Sequence, residues 1–468
     1  MKLNCIVKDL FFVTILILIA LGLRVFFLIY IDIPFVFRKY PYFADQLING
    51  IDINTRLLDL SPFYLYFVAA VKKYFNTDIQ TLKFLHALIG TCNTLLLFRL
   101  GKIIKNTGVG LVGAFLYACY GNGIALELSL EPLVFYELFT LLTVMVLMSF
   151  TVTKQNDYKL YVYVLLAAIF SGISILIKPN FVLFIPVALL TFFFVLKKRI
   201  SAQKNCILSV GYVLITLAVV SPVTIRNYNK FNDFVLVTAD YGKVFFHGNS
   251  KGSSPFFPKH LPYEIQGSWG PDGEHEKFRK AADILSGKAL LPSQAARYWV
   301  SVTLKDIFSD PFSYLLLEIQ KFQLFFHEYE IHYLLFPFIE YQETKALPFI
   351  RYGLISTLGL LGIIIMFSER KKLIPLYGII SIYLISGMML LVSSRYRAPA
   401  VPFLCLFAAL FLNRFIEYLK KREMKKIAVA IVLCCILFYI NHSFYADEIK
   451  FRDNFLQETY IKKMTTNN

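Results

Sequence analysis

Apolar residues in this chain come in blocks long enough to cross a membrane, and that pattern decides most of what it can fold into. The first block, DLFFVTILILIALGLRVFFLIYI, runs from Asp9 to Ile31. A helix needs about 20 consecutive apolar residues to cross the hydrocarbon core of a bilayer. There, every backbone polar group must be satisfied within the segment. Further blocks centre on residues 80–98, 107–124, 131–151, 159–177, 180–196, 205–224, 350–367, 374–392, 399–416 and 427–441. The pattern predicts an all-α polytopic membrane protein with about 11 transmembrane helices. Composition agrees: 57% of residues are hydrophobic and 17% are charged, against about 25% charged in soluble domains. A soluble enzyme, a disordered chain and a fibrous protein are excluded.

The net charge of +17 would suggest nucleic acid in a soluble chain. In a membrane protein the placement of the charges matters more, because basic loops stay in the cytoplasm. The first block is too long for a signal-peptide core, and no small-residue cleavage site follows it. With Lys2 and Lys8 ahead of it, the N-terminus is expected inside. Alternate loops then carry the basic clusters. These are Arg99, Lys102 and Lys105; Lys154 and Lys159; Lys197, Lys198, Arg199 and Lys204; Arg370, Lys371 and Lys372; and Arg414 with Lys420–Lys426. The short outside turns at 125–130, 178–180 and 393–398 hold only Lys178, Arg395 and Arg397. LSPFYLYFVAAVKKYF (60–75) is apolar but short. If it spanned, the later basic loops would switch sides, so it is expected to lie on the outer membrane surface.

The expected organisation is a transmembrane module over 1–225, with its first external loop at 32–79. A large extracytoplasmic loop of mixed polarity follows at 226–349, then spans over 350–441 and an extracytoplasmic tail at 442–468. Within the large loop, DPFSYLLLEIQKFQLFFHEYEIHYLLFPF has helical apolar spacing yet carries Glu318, Lys321 and Glu328. That suits an amphipathic helix along the membrane. The seven cysteines form neither a disulfide framework nor a metal-like CxxC pair. His86 falls inside a span, where a packed or hydrogen-bonded role is the plain expectation. His327 and His332 are spaced poorly for a shared metal.

Ionisable residues in or beside spans are costly and often functional. Here most fall on the expected outer side. The first external loop holds Asp32, Asp45, Asp52 and Asp59, and the turn LELSLEPLVFYE holds Glu127 and Glu131. Lys178 sits in ILIKPNFVLFIP, while Arg395 and Arg397 sit in SSRYRAPAVP. Taken singly, an Arg at a span end is usually interfacial, an Asp in a loop is usually solvated, and Glu131 suits a helix start. Together they are carboxylates from two loops and cations from two others. A carboxylate can accept a proton from a hydroxyl, and Arg and Lys can hold a phosphate.

These residues lie in segments that resemble the polytopic GT-C glycosyltransferases, in particular the bacterial branch related to protein O-mannosyltransferases and lipid A aminoarabinose transferases. The resemblance runs from the first span to about residue 402. Its pieces appear in the family's order: Tyr40–x3–Ala44 with Gly50, SPFYLYF (61–67), LEPLVFYEL (130–138), IKPN (177–180), SPVTIRNY (221–228), GKVFFHGN (242–249), SQAARYW (293–299), DPFSYLLLEIQKFQLFFHEYEI (310–331) and RYRAPAVP (395–402).

The resemblance implies a polyprenyl-phosphate-linked sugar donor, and an acceptor glycan, lipid or protein on the outer side of the cytoplasmic membrane. An acid of the first external loop would be the base, with Glu131 near it. Lys178, Arg226, Arg395 and Arg397 would hold the donor phosphate. No nucleic acid is implied, no cofactor is certain, and a divalent metal ion is left open, there being no DxD pair. One departure stands out. Relatives tend to carry the acid four residues before the tyrosine of the Tyr–x3–Ala element, and that position is Val36. Asp32 and Asp45 are then the candidate bases. A transporter or flippase for a lipid-linked sugar needs the same phosphate clamp and no base; a polysaccharide polymerase or ligase shares the topology and the external site.

Overall fold

The computed structural model describes residues 2–30, 39–53, 56–152, 157–197, 199–261, 274–331 and 349–455. The chain opens with α1 (Lys2–Tyr30), α2 (Lys39–Ile48), α3 (Pro62–Phe75), α4 (Ile79–Ile104), α5 (Thr107–Ala118) and α6 (Gly121–Leu128). It continues through α7 (Leu133–Val152), α8 (Asp157–Ile177), α9 (Phe184–Thr191), α10 (Ala202–Phe231) and α11 (Tyr241–Asn249). Helices at Glu274–Ser286, Pro292–Ser309, Pro311–Phe326, Tyr352–Ile365, Ile374–Met389, Val401–Lys420 and Met424–Ser443 follow. No β-strand occurs among the described residues.

Each apolar block falls on helix, and fewer than the expected 11 pass on helix length and composition alone. Among the described residues, eight are long and apolar enough to cross, or nine if α6 and α7 form one bent span. Two blocks are short: α5 has 12 residues and Ile374–Met389 has 16. At 1.5 Å per residue these reach about 18 and 24 Å, short of the roughly 30 Å hydrocarbon core. Hydropathy could not see the break after α6. There the axis turns by 114°. Leu130 sits in the left-handed region at φ 61, and Pro132 follows. A non-glycine residue in that conformation is strained and persists only where its surroundings impose it. Leu130 is fully buried.

Between lipid-exposed helices, association relies on close packing around small residues. Gly101 of α4 meets α5 so closely that a Cβ there would lie 2.6 Å from the Gly110 Cα. Val401–Phe411 is buried along its whole length, as expected for a helix that is apolar all round. In the 60–75 stretch, α3 is a 14-residue helix that buries Tyr64, Leu65 and Val68 and packs on α2 and α8. Pro311–Phe326 is amphipathic. Phe312, Leu315, Leu316, Ile319 and Phe322 are exposed at helical spacing, while Lys321 is buried. The Lys321 Nζ donates to Glu318, the Asn249 Oδ1 and the Met388 carbonyl.

A charged cluster lies deep among the helices of the first half of the chain. Arg24 of α1 donates to both oxygens of Glu127 at 2.7 and 2.8 Å, and neither side chain is more than 2% exposed. The Tyr117 hydroxyl lies 2.9 Å from Glu127 and 2.6 Å from Glu137. Gly90 makes room for the pair, since a Cβ there would clash with the Arg24 Nε and the Glu127 carboxylate. His86 bridges the Glu127 carbonyl at 2.7 Å to the Tyr64 hydroxyl at 2.9 Å.

Candidate active site

A cavity of about 740 Å³ opens where α7 begins, α8 ends and the helical run at 394–420 begins. That size suits a small-molecule or cofactor site. Three local breaks in helix geometry position its charged wall. Pro179 stops α8 immediately after Lys178. The bend at Leu130–Pro132 puts Glu131 just ahead of α7. Ser393 caps the turn Ser394–Arg397 by accepting from the Tyr396 N–H at 3.3 Å, and so presents Arg395 and Tyr396.

On this wall the Arg395 Nη1 donates to the Glu131 Oε1 at 2.7 Å, with the side chains 39% and 9% exposed. The Lys178 Nζ lies 5.4 Å from the ring centroids of both Tyr136 and Tyr396. Burial, and then the neighbouring Arg395 guanidinium, push the Lys178 ammonium down to about 8, against the opposing pull of Glu131 and Glu137. Tyr40 completes this part of the wall. Its hydroxyl oxygen accepts from the Ser61 N–H at 3.1 Å, its ring packs edge-on against Tyr64 at 4.7 Å, and burial pushes its pKa up.

The rest of the lining comes from elsewhere in the chain. Asp59 is gripped by the Lys39 Nζ at 3.0 and 3.1 Å and by the Arg56 Nη1 at 3.0 Å. Asp240, just before α11, pairs with Lys243 one turn on at 3.2 Å. His247, one turn further along α11, packs its ring 5.1 Å from that of His260. Arg452 and Phe455, beyond the last long helix, also reach the cavity.

The structure thus brings Glu131, Lys178 and Arg395 together and leaves other sequence-selected residues apart. Asp32 lies outside the described residues. Asp45 pairs with Lys72 at 2.6 Å, is half exposed and is not on the cavity wall. Arg226 donates to the Tyr66 hydroxyl at 3.0 Å, the Leu57 carbonyl at 3.3 Å and the Asn227 Oδ1 at 2.6 Å, tying α10 to the first loop. Arg397 is buried away from the cavity. It donates to the carbonyls of Leu324, His327 and Tyr329 at 2.8–3.0 Å and to Glu330 at 2.8 Å, and packs 3.8 Å from the Tyr352 ring centroid. The hydrogen bonds that these two arginines do make tie elements of the fold together, and neither side chain lines the cavity.

Sequence reasoning missed Asp240, Lys243, His247 and Arg452. GKVFFHGN was recognisable as a segment without revealing which of its side chains face the cavity, and Arg452 sits in a tail with no motif. Among the described residues, no group of three or more His, Cys, Asp or Glu is placed to hold a metal ion.

Residues 59–225 match the family model described as dolichyl-phosphate-mannose-protein mannosyltransferase. No curated protein matches the chain significantly. Among solved structures, the chain is similar to the oligosaccharyltransferase of Archaeoglobus fulgidus in complex with Zn and sulfate. The identity is 15% and the TM-score 0.50, over 91% of this chain and 52% of that one. The same enzyme tethered to an acceptor peptide containing the NVT sequon gives 14% identity and a TM-score of 0.51, over 95% of this chain and 55% of that one. The chain therefore spans about half the length of these structures. It is an all-α polytopic membrane protein whose fold is similar to that of the archaeal oligosaccharyltransferase, matched over residues 59–225 by that mannosyltransferase family model.

Proposed function

We propose that the chain is an inverting glycosyltransferase. It takes a sugar from a polyprenyl-phosphate-linked donor and passes it to an acceptor glycan, lipid or protein on the outer face of the cytoplasmic membrane. One observation carries this reading: Lys178, Arg395 and Glu131 meet on a cavity wall at one end of an apolar helix bundle. A lipid-borne phosphate enters such a site with its chain still in the bilayer, and the family model's description supports a donor of that kind.

In this mechanism the acceptor oxygen attacks the anomeric carbon from the face opposite the phosphate. The carbon–oxygen bond to phosphate breaks as the new glycosidic bond forms. Negative charge grows on the departing phosphate, where Lys178 and Arg395 neutralise it. Glu131 aligns the guanidinium through a charge-assisted hydrogen bond. The acceptor proton passes to a cavity carboxylate. Asp59 is held by two cations and its side chain is 4% exposed. Asp240, a quarter exposed beside Lys243, is the more accessible carboxylate.

The test is transfer of labelled sugar from polyprenyl phosphate by protein reconstituted in vesicles, comparing Lys178→Ala and Glu131→Ala with the parent. Losing one such charge-stabilising contact lowers the rate on the order of 10²–10³. Unchanged transfer in both variants overturns the assignment, and lipid-sugar crossing without covalent product identifies a transporter instead.

A further inference from the structure

The polypeptide after the last long helix carried no recognisable motif, yet it folds back onto the cavity. After Met424–Ser443 the chain turns at Tyr445, which sits in the left-handed region at φ 65, and residues 446–455 are again helical. Hydrogen bonds and ring contacts pin this piece down. The Arg452 Nε donates to the Phe256 carbonyl at 3.0 Å, and its Nη1 donates to the Tyr329 hydroxyl at 3.0 Å. The Tyr329 hydroxyl in turn donates to Asp453 at 2.6 Å. The Phe257 ring packs against Phe451 at 5.9 Å and Phe455 at 5.5 Å, while Tyr445 packs on Phe256 at 5.7 Å. Arg452 is 3% exposed, so it acts as an internal tie, and Phe257 and Phe455 are left lining the cavity. His247 and His260 line it too; the His247 Nδ1 is bonded to the Lys259 carbonyl.

Flat aromatic faces beside polar imidazoles are what a sugar ring needs. Its polarised C–H bonds pack on the electron-rich ring face, while its hydroxyls require hydrogen-bond partners. A purely prenyl-binding surface has no use for the histidines. We propose that residues 444–455 form one wall of a sugar-ring site, with Phe455 and Phe257 as the stacking faces and Arg452 as the positioning residue that holds them. This deepens the transferase reading and rests on it. The ring belongs either to the donor's glycosyl unit or to the acceptor glycan.

The experiment uses the full chain with Phe455→Trp, the parent protein and its two native tryptophans serving as the fluorescence blank. An unchanged melting temperature establishes that the variant folds. Three probes are titrated: decaprenyl phosphate alone; decaprenyl phosphate carrying mannose, glucose or N-acetylglucosamine; and the soluble trisaccharides maltotriose and chitotriose. An emission shift with sugar-bearing lipid but not with bare lipid supports the donor source. A shift with a trisaccharide supports the acceptor source. In either case, adding Arg452→Ala weakens the response about tenfold, as expected when an aromatic stack is lost. An equal response to bare decaprenyl phosphate, or no response to any sugar, overturns the proposal. If bare lipid still binds in a Lys178-dependent way, that failure leaves the phosphate clamp standing; if it does not, the transferase reading fails with it.

Discussion

Arg24–Glu127 and Arg395–Glu131 are both arginine–glutamate pairs with a closest contact of 2.7 Å, the first through two hydrogen bonds, and the two glutamates are four residues apart. Their surroundings differ. Arg24 and Glu127 are sealed among helices at 0% and 2% exposure. Arg395 and Glu131 open on a cavity, with the arginine 39% exposed. A third pair, Arg397–Glu330, resembles the first at 1% and 5%. A sealed pair has no room for a ligand, and its Coulomb attraction is set against the cost of desolvating both charges. An open pair keeps an orientable charge within reach of a substrate. An Arg–Glu pair in a membrane protein is thus not itself evidence of a site; access is.

The comparison can be broken in order of effect. Arg24→Ala or Glu127→Ala strands a buried charge, so thermal unfolding in detergent should show a loss of about 3–5 kcal/mol. The apolar double variant Arg24→Met/Glu127→Leu should recover most of it. If either single variant is as stable as the parent, the sealed pair is not structural. Next, Lys178→Ala should lower sugar transfer on the order of 10²–10³ while shifting the melting temperature little. A melting loss as large as that of Arg24→Ala would place Lys178 with the structural charges.

A third prediction concerns pH. Lys178 titrates at about 8, beside Arg395, Glu131, Glu137 and the rings of Tyr136 and Tyr396. It is charged below that pH and neutral above it, whereas a phosphodiester stays anionic throughout. Affinity for decaprenyl phosphate should therefore hold below pH 8 and fall above it, by up to about tenfold per unit. Lys178→Arg should abolish the dependence, and a flat profile in the parent would remove Lys178 from the clamp. Smallest of all, Asp45→Asn removes a half-exposed ion pair and should change stability by less than about 1 kcal/mol and transfer not at all.

Much of the fold was legible because lipid imposes a simple rule: long apolar runs become helical, and the apolar blocks fall on helix. What hydropathy could not show is where a run breaks. The 107–124 block hides the end of α5 at Ala118 and the start of α6 at Gly121, and the strained Leu130 turn depends on packing that no local signal encodes. On the cavity wall, Glu131, Lys178 and Arg395 were legible because each is a charge at the end of an apolar run. The same rule selected Arg397, two residues from Arg395. Only the tertiary fold distinguishes them, since the carbonyls that engage Arg397 come from residues 324–329. Asp240 and Arg452 escaped notice because they sit in polar stretches where a charge carries no surprise.

The central claim is that Lys178 and Arg395 form a clamp for a lipid-borne phosphate. A structure of the protein in lipid nanodiscs with decaprenyl phosphate tests it most directly. The account predicts phosphate density within hydrogen-bonding distance of both the Lys178 Nζ and the Arg395 guanidinium, with the Arg24–Glu127 pair unchanged. Phosphate bound elsewhere, with Lys178 and Arg395 undisturbed, would contradict it.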